Sequence, residues 1–412
     1  MTQLSRRRFL GGVSLTGLGM TSIGLAGLGL GACTSPKQPP NNATCQRHAS
    51  ASKQYAFYGQ HQAGIITPSQ RHIYLLVADL HSLNINDIAT MFKNWTRSAA
   101  SLCQGNNHQA YGDNPHIPPA DTGEADSLSA WGLTLTFGIS PSFLSKLGLS
   151  QFAPPEFVDL PHFAKDQLKD HLSGGDICIQ ACSDDPQVAF HAVRQLVRQA
   201  RSLITLRYSR MGFTSSDEDG QTPRNLFGFK DGTANQEVLS NADQHIWVQH
   251  PNWLAHGSYM VVRTIAMHLE TWDRTSLTGQ EETFARHRDT GAPLGQTDEF
   301  APLDIHATHQ GKPIIPQVAH SALAKGSNQQ ILRRSYSYAD GIDPKTGQFD
   351  AGLLFISFQQ SPKQFIDIQN ALGTMDKMTE YTTHIGSGLF ACFGGVREGE
   401  YLGQALFELA KS

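Results

Sequence analysis

The sequence contains little cysteine, and none of it forms a Cys-x-x-Cys pair. Its six cysteines are scattered along the chain, at positions 33, 45, 103, 178, 182 and 392. This number and spacing exclude a small disulfide scaffold and a cysteine-based zinc site. Beyond the N-terminus, no apolar run is long enough to cross a bilayer, so we expect membrane contact only from that end.

Basic residues are not in excess either. The formal net charge is −4, and the first 32 residues carry three arginines and no acid, so the rest of the chain is near −7. This balance argues against nucleic acid as a partner. An apolar content of 39% with 17% charged residues is typical of a globular protein with a core, and 412 residues suit two or three domains.

The N-terminus has the pattern of a targeting segment. Ser5–Leu10 (SRRRFL) resembles a twin-arginine export signal, and the Gly-diluted apolar run after it ends in Leu30–Cys33 (LGAC), which resembles a lipobox. We therefore expect a signal over 1–33, lipidation at Cys33, a flexible tether over 34–54, and a location in the periplasm or cell envelope. An uncleaved anchor helix is the alternative, which the glycines of the run disfavour.

Hydrophobic periodicity predicts a β-α-β-β-α-β order in the region 55–215. Strands are expected at 72–80, 131–139, 176–183 and 202–213. Asn84 is the expected N-cap of the first helix, and Asp185-Pro186 opens the second. This order is the ferredoxin-like arrangement.

The region 216–412 repeats the same element order without repeating the residues. The predicted elements are strands at 257–268, 331–339, 351–359 and 388–396, with helical stretches at 276–288 and 362–372. The fold class is therefore α+β, with two ferredoxin-like (βαββαβ) halves that have antiparallel sheets. We expect the halves to pack as a sandwich and the irregular segments 216–256 and 289–330 to form loops over a pocket.

One stretch, Arg224–Asn235 (RNLFGFKDGTAN), combines features suited to a catalytic loop. Gly228 and Gly232 bracket Asp231, and glycine lets the backbone take φ > 0 and approach a flat ligand closely. A carboxylate at the rim of an apolar pocket suits proton transfer. A plain hairpin turn is the alternative, because Asp-Gly between apolar runs is a strong turn signal.

A second candidate region follows the long loop. His320 precedes a strand-like segment in which Arg333 and Arg334 are adjacent, so alternation directs these two side chains to opposite sides. One of them can then enter a pocket while the other meets an anion or solvent. The alternative for His320 is an ordinary polar loop residue, and His306 and His309 compete for any ligand role.

These segments, with several others, carry a resemblance to the dye-decolorising peroxidases, and within them to the exported, iron-uptake-associated branch called deferrochelatase/peroxidase. The similarity runs from about Tyr55 to Leu409. The segments that carry it are Phe57–Ile65 (FYGQHQAGI), Gly174–Gln180 (GGDICIQ), Gly228–Gly232 (the family's Gly-x-x-Asp-Gly), Glu270–Thr275 (ETWDRT), Gly291–Gly295 (GAPLG), Leu332–Arg334 (LRR) and Tyr336–Tyr338 (YSY).

The resemblance implies one haem b per chain, bound in the C-terminal half. It assigns Asp231 as distal acid/base, Arg333 as distal cation and His320 as axial iron ligand. Further expected cofactor contacts are Gly228, Gly232, Arg263, Arg334 and Phe355, with the two arginines as partners of the haem propionates. Core packing is the alternative for Phe355. The second nitrogen of the axial imidazole needs an acceptor, for which Glu380 and Asp376 are candidates.

The leading functional hypothesis is an exported haem peroxidase that reduces hydrogen peroxide while it oxidises bulky organic substrates or ferrous iron. The branch also implies release of iron from haem with the porphyrin intact, and iron-uptake system proteins as partners. Two other classes are a non-catalytic haem-binding lipoprotein and a structural domain without a cofactor. The presence of both Asp231 and Arg333 argues against the haem-binding lipoprotein, because a carrier has no use for an acid/base pair. A carboxylate base also predicts activity near pH 4–5, where an ordinary imidazole base is mostly protonated.

Overall fold

The computed structural model describes residues 52–106, 114–215 and 220–411. The predicted signal, the lipobox with Cys33 and the tether up to residue 51 lie outside the described residues. Within the described ranges, no helix combines the length and the hydropathy needed to cross a membrane.

The described part of the first half has the predicted order of strands and helices, with a short α-helix added after β2. Its elements are β1 (His72–Leu80), α1 (Ile85–Cys103), β2 (Thr134–Ile139), α2 (Pro141–Lys146), β3 (Ile177–Ser183), α3 (Pro186–Gln199) and β4 (Ile204–Phe213). Asn84 caps α1, because its side chain accepts hydrogen bonds from the backbone N–H groups of Asn86 and Asp87. Asp185 caps α3 in the same way, with Pro186 at the first helical position.

The second half follows the same plan with more insertions. Its elements are α4 (Asn235–Ser240), α5 (Ala242–His245), β5 (Ser258–Met267), α6 (Leu269–Trp272), α7 (Leu277–Phe284), β6 (Thr308–His309), β7 (Lys312–Pro313), α8 (His320–Gly326), β8 (Leu332–Arg333), β9 (Tyr336–Ile342), β10 (Phe349–Gln359), α9 (Pro362–Leu372), β11 (Thr382–Cys392) and α10 (Gln404–Leu409). Two predictions need correction: the strand expected at 331–339 is divided into β8 and β9, and the last strand begins at residue 382 rather than 388.

The strands confirm the ferredoxin-like fold class. Strand order is β2-β3-β1-β4 in the first half and β9-β10-β5-β11 in the second, and all the pairings are antiparallel. The halves do not form the expected sandwich of separate sheets. Instead β2 pairs with β11 and β4 pairs with β9, so eight strands close into a ring, and β8 is attached to β10.

Alternation along the strands divides the core into two parts. Side chains from strands of both halves form one buried cluster, which therefore lies inside the ring, with members such as Ile73, Leu75, Val262, Leu354 and Phe390. The opposite faces of the first-half strands pack under α1 and α3, around Phe92 and Trp95.

The outer face of the second half is less completely filled. Leu353 and Phe355 alternate with the buried Leu354 and Ile356 along β10, and both are only half-buried. Helix α9 packs on this face next to Phe355, and Leu353 packs against a cluster that contains Phe227 and Trp272. The candidate functional residues lie around it.

Candidate active site

Asp231 and Arg333 are distant in sequence and adjacent in the structure. Nη1 of Arg333 lies 2.8 Å from Oδ1 of Asp231, and the two side chains are 30% and 16% exposed. The carboxylate and the guanidinium therefore form a direct ion pair that keeps some access to solvent or to a ligand.

Asn235, at the start of α4, holds these two segments together. Its side-chain amide donates to the carbonyl of Arg333 at 2.6 Å, and its side-chain oxygen accepts from the backbone N–H of Arg333 at 3.0 Å. The backbone N–H of Asp231 donates to the carbonyl of Pro223 at 2.8 Å. Asn235 is the last residue of the Arg224–Asn235 stretch, and no signal in the sequence indicates this role.

The loop around Asp231 is also a tight turn, so the two interpretations of this stretch are compatible. Arg224 and Lys230 form an antiparallel bridge, and the backbone reverses between them. Gly228 and Gly232 have φ angles of 82° and 110°, a region that only glycine adopts without strain. A side chain at Gly228 would meet the guanidinium of Arg288 at 3.0 Å.

A cavity of about 730 Å³ lies beside the ion pair. Asp231, Arg333 and Arg334 line it together with Leu353 of β10, and residues 65–69 of the first half close one side. This volume is within the range of roughly 300–1,000 Å³ that is usual for small-molecule and cofactor sites. His320 and Phe355 are not among the residues that line this cavity.

His320 is the first residue of α8, and its ring is held by a buried carboxylate. Nδ1 of His320 lies 2.7 Å from Oδ2 of Asp376, and the side chains are 31% and 5% exposed. The other oxygen of Asp376 accepts from the backbone N–H of Met378 at 2.9 Å. If Nδ1 carries the proton, as this pairing favours, Nε2 is left as the nitrogen available to a metal. Of the two acceptors suggested from sequence, Asp376 makes the contact.

The two competing histidines have a different setting. His306 and His309 are exposed, and His309 belongs to the short β6–β7 hairpin. Among the described residues, no group of three or more His, Cys, Asp or Glu side chains is placed to hold a metal ion. His320 is thus distinguished from the other two by a buried carboxylate partner.

Arg263 is not placed for the propionate role suggested from sequence. The residue is fully buried, and its guanidinium is paired with Asp166. It also donates to Nδ1 of His384 at 3.2 Å and to the hydroxyl of Ser387 at 3.0 Å. Burial, together with the charge of Arg263, lowers the pKa of His384 to about 3, so this ring is neutral. The propionate role of Arg263 stays a prediction that this geometry does not favour.

Arg334 lines the cavity and also anchors the first half. Its guanidinium donates to the carbonyl of Thr67 and to the side-chain oxygen of Gln70, and the residue is only 4% exposed. Phe355 lies on the same face of β10 as Leu353, with its ring centroid 5.9 Å from that of Phe365. Their roles toward a cofactor stay predictions.

These residues match the chemical needs of an iron porphyrin. A carboxylate–guanidinium pair lies beside the cavity, and His320, outside the lining of that cavity, offers one imidazole with a fixed orientation. A porphyrin supplies the remaining iron ligands itself, so a single protein imidazole is sufficient. The donor set therefore fits the cofactor that the sequence predicts.

Both halves of the chain match models of one protein family. Residues 62–214 match the family described as Dyp-type peroxidase, N-terminal, and residues 222–397 match Dyp-type peroxidase, C-terminal. The chain is 34% identical to the Deferrochelatase of Escherichia coli (strain UTI89 / UPEC) over 426 aligned residues, which cover 98% of this chain and 97% of that protein. It is also 34% identical to the Deferrochelatase of Shigella flexneri, with 86% and 87% covered.

The fold is similar to solved structures at comparable identity. Ferric DtpA from Streptomyces lividans superposes with a TM-score of 0.81 at 36% identity, covering 87% of this chain and 98% of that one. A DyP-type peroxidase from Cellulomonas bogoriensis gives 0.80 at 35% identity, with 87% and 99% covered.

Proposed function

Since the chain belongs to the Dyp-type peroxidase family, whose members are haem-dependent enzymes, we propose that Asp231, Arg333 and His320 are its working residues and that hydrogen peroxide is its oxidant. The observation that carries the proposal is the 2.8 Å ion pair between Asp231 and Arg333 beside a cavity of cofactor size. One haem b per chain is the cofactor we propose.

Asp231 moves the proton in this proposal. Its carboxylate takes a proton from one oxygen of hydrogen peroxide and returns it to the other, so that the departing oxygen leaves as water. A well-placed acid/base contributes about 10²–10⁴ in rate. Arg333 stabilises the negative charge that develops on the departing oxygen, and it holds Asp231 in a defined position meanwhile.

His320 would hold the haem iron through Nε2, with Asp376 accepting the proton of Nδ1. When bound, the haem supplies the iron centre at which peroxide is reduced and which then withdraws electrons from the reductant. A buried carboxylate on the far nitrogen makes the imidazole a stronger donor and fixes its ring plane.

The cavity favours an organic reductant over ferrous iron. Its lining includes exposed apolar side chains: Ile66 is 44% exposed, Leu239 42% and Phe300 56%. Asp231 is the one carboxylate among its described lining residues, and it is already paired with Arg333. Iron(II) sites in proteins are built from imidazole and carboxylate ligands, and the described lining offers no imidazole and no second carboxylate.

The test uses the haem-loaded protein and the variant Asp231→Asn. We expect the second-order rate of the peroxide-induced Soret change to fall by about 10²-fold or more. Asp340→Asn is the matched control, because it removes a carboxylate from another Asp–Arg pair, that with Arg210. An unchanged rate in Asp231→Asn would refute the proposed mechanism.

His320→Ala tests the proposed iron ligand. This variant is expected to have an altered ferric Soret spectrum, and an unaltered spectrum would refute the role of His320 as ligand.

Release of iron from haem is the second candidate activity, because the curated relatives with 34% identity are named Deferrochelatase. Incubation of the protein with haem, followed by pigment analysis, separates the two activities. Free protoporphyrin would establish iron release, whereas intact haem with peroxide-dependent oxidation of an organic reductant would establish peroxidase activity alone. A non-catalytic haem carrier would show neither reaction.

We also propose export to the cell envelope by the twin-arginine route, with a lipid anchor at Cys33 as the membrane contact and iron-uptake proteins as partners. The Arg6-Arg7-Arg8 run and the lipobox-like end of the apolar run support this proposal. Replacement of the three arginines by lysine should leave the protein in the cytoplasm. Cys33→Ser should release it from the membrane fraction, and membrane retention of that variant would contradict lipidation.

A further inference from the structure

Glu299 lies in the loop between α7 and β6, far in sequence from Asp231, and its side chain is only 10% exposed. Three side chains donate to its carboxylate. Lys230 pairs with Oε2, and the hydroxyls of Thr222 and Thr233 both donate to Oε1, the latter at 3.0 Å. The carboxylate of Glu299 thus accepts hydrogen bonds from one ammonium group and two hydroxyl groups.

These three donors flank Asp231 in the chain. Lys230 precedes it, Thr233 follows it by two positions, and Thr222 is adjacent to Pro223, whose carbonyl accepts the backbone N–H of Asp231. Through Lys230 and Thr233, Glu299 therefore contacts the loop on both sides of Asp231. Through Thr222, it also contacts the start of the loop.

The backbone of this loop needs such contacts because its glycines allow it many conformations. Gly228 and Gly232 both have positive φ, and glycine gives the backbone the most conformational freedom of any residue. Beyond Arg333, no side-chain partner holds the carboxylate of Asp231 among the described residues. The position of Asp231 therefore depends on its ion pair with Arg333 and on the contacts that fix the loop.

The electrostatics of Glu299 agree with this arrangement. Burial alone would raise the pKa of Glu299, but the hydrogen bonds from Lys230, Thr222 and Thr233 and the charge of Lys230 outweigh it and hold that pKa below its usual value. The backbone of Glu299 is fixed as well, because Arg286 donates to its carbonyl at 3.0 Å and to the carbonyl of Gly291 at 2.6 Å. The carboxylate is therefore charged, and hydrogen bonds hold both the side chain and the backbone of Glu299.

We propose that Glu299 is a positioning residue that holds the loop of Asp231 in its reactive geometry. This inference rests on the proposed role of Asp231 as acid/base. Glu299 does not contact the reacting atoms and acts only through Lys230, Thr222 and Thr233. A misplacement of about 1 Å at a reacting group can lower a rate by about 10²-fold, so even a partial release of the loop should be measurable.

The first experiment compares Glu299→Gln with the wild type, Asp231→Asn and Glu124→Gln, all loaded with haem. Glu124 is a matched control, since it is a half-buried carboxylate of the first half that pairs with Arg194 at 3.3 Å and has a lowered pKa. We expect Glu299→Gln to slow the peroxide-induced Soret change about tenfold or more, with the resting ferric spectrum unchanged. Glu124→Gln should react at the wild-type rate.

Amide hydrogen exchange provides a readout that does not depend on turnover. In Glu299→Gln the amides of residues 222–235 should exchange faster than in the wild type, since the bond from Asp231 N–H to Pro223 and its neighbours open more often. Both changes are required. A slowed peroxide step without faster exchange, or faster exchange without a slowed step, overturns the proposal.

Thr233 provides a smaller perturbation, in case Glu299→Gln does not fold. Thr233→Val keeps the shape but removes the hydroxyl, and should slow the peroxide step, whereas Thr233→Ser keeps the hydroxyl and should restore most of the rate. Equal rates in these two variants overturn the proposal. If Asp231→Asn reacts normally, the proposed function itself fails; if Asp231→Asn is slow while Glu299→Gln is normal, only the positioning role fails.

Discussion

Side chains that act on the candidate site through other residues were beyond what the sequence could predict. Asn235 contacts Arg333 across 98 positions, and Glu299 contacts Thr233 across 66. Periodicity and turn signals describe near neighbours along the chain, and they carry no information on such contacts. From sequence, Asp376 is only one of two acidic candidates near the last strand for the acceptor of the His320 ring. The structure shows that Asp376 makes this contact.

Glu299 also predicts a pH dependence of stability. Its folded pKa lies below the usual value, so its contacts stabilise the native state fully above the unfolded value of about 4.3 and are lost as pH falls through the folded value. Removal of the charge by Glu299→Gln should therefore lower the free energy of unfolding at pH 7, by about 2 kcal/mol for hydrogen bonds to a charged group.

Denaturant titrations of wild type and Glu299→Gln at pH 7, 5 and 3.5 measure this effect. The difference in unfolding free energy should be nearly constant from pH 7 to 5 and should shrink below about pH 4. A difference that grows as the solution becomes more acidic would show that the folded carboxylate has a raised pKa instead. Such a result would remove the electrostatic support for the loop contact.

Elements whose signals are local were predicted well. Strand β1 and helix α9 have the predicted bounds, 72–80 and 362–372. The start of β11 was missed for a physical reason. Residues 382–387 are mostly polar, and His384 and Ser387 of this part contact the buried Arg263 rather than an apolar core. A strand that serves a polar network lacks the apolar alternation by which strands are recognised.

A residue of the N-terminal cap of helix α9 also contacts the segment that joins His320 to Arg333. Ser361 and Gln364 form a capping box, and the side-chain amide of Gln364 also donates to the carbonyl of Gln330 at 2.6 Å, in the segment between His320 and Arg333. The helix packs against α8, which begins at His320. Fraying at the first turn of α9 should therefore loosen the region around the proposed iron ligand.

We accordingly expect Ser361→Ala to destabilise the protein by about 1 kcal/mol, roughly 2 °C in Tm, and to accelerate transfer of haem to an acceptor such as apomyoglobin. Asn84→Ala is the matched control, because it removes a side-chain cap from α1 in the first half. It should lower Tm by a similar amount without changing the rate of haem transfer. Equal haem-transfer rates in the two variants would mean that α9 does not hold the site.

At the scale of the whole molecule, the closed ring makes the two halves interdependent. The edges that join them are short: β4 and β9 share the pair Phe213–Ser337, and β2 and β11 share the pairs Ile139–Ala391 and Gly138–Cys392. The interior cluster, in contrast, draws buried side chains from both halves. Since burial of apolar area dominates folding free energy, this shared core rather than the short edges should join the halves.

The shared core predicts that a cavity made in the first half weakens the second. Leu75 of β1 is fully buried in the interior cluster, so Leu75→Ala should cost about 2–5 kcal/mol. Loss of the Soret band reports on the proposed haem site in the second half, and far-ultraviolet circular dichroism reports on the whole chain. We expect both signals to shift together to lower denaturant concentration in Leu75→Ala.

Leu206→Ala is the control, because Leu206 of β4 is 52% exposed and should shift neither signal appreciably. A Soret transition that stays at its wild-type midpoint while circular dichroism shows an earlier step would mean that the halves unfold independently, and the ring would then be an assembly of two autonomous domains.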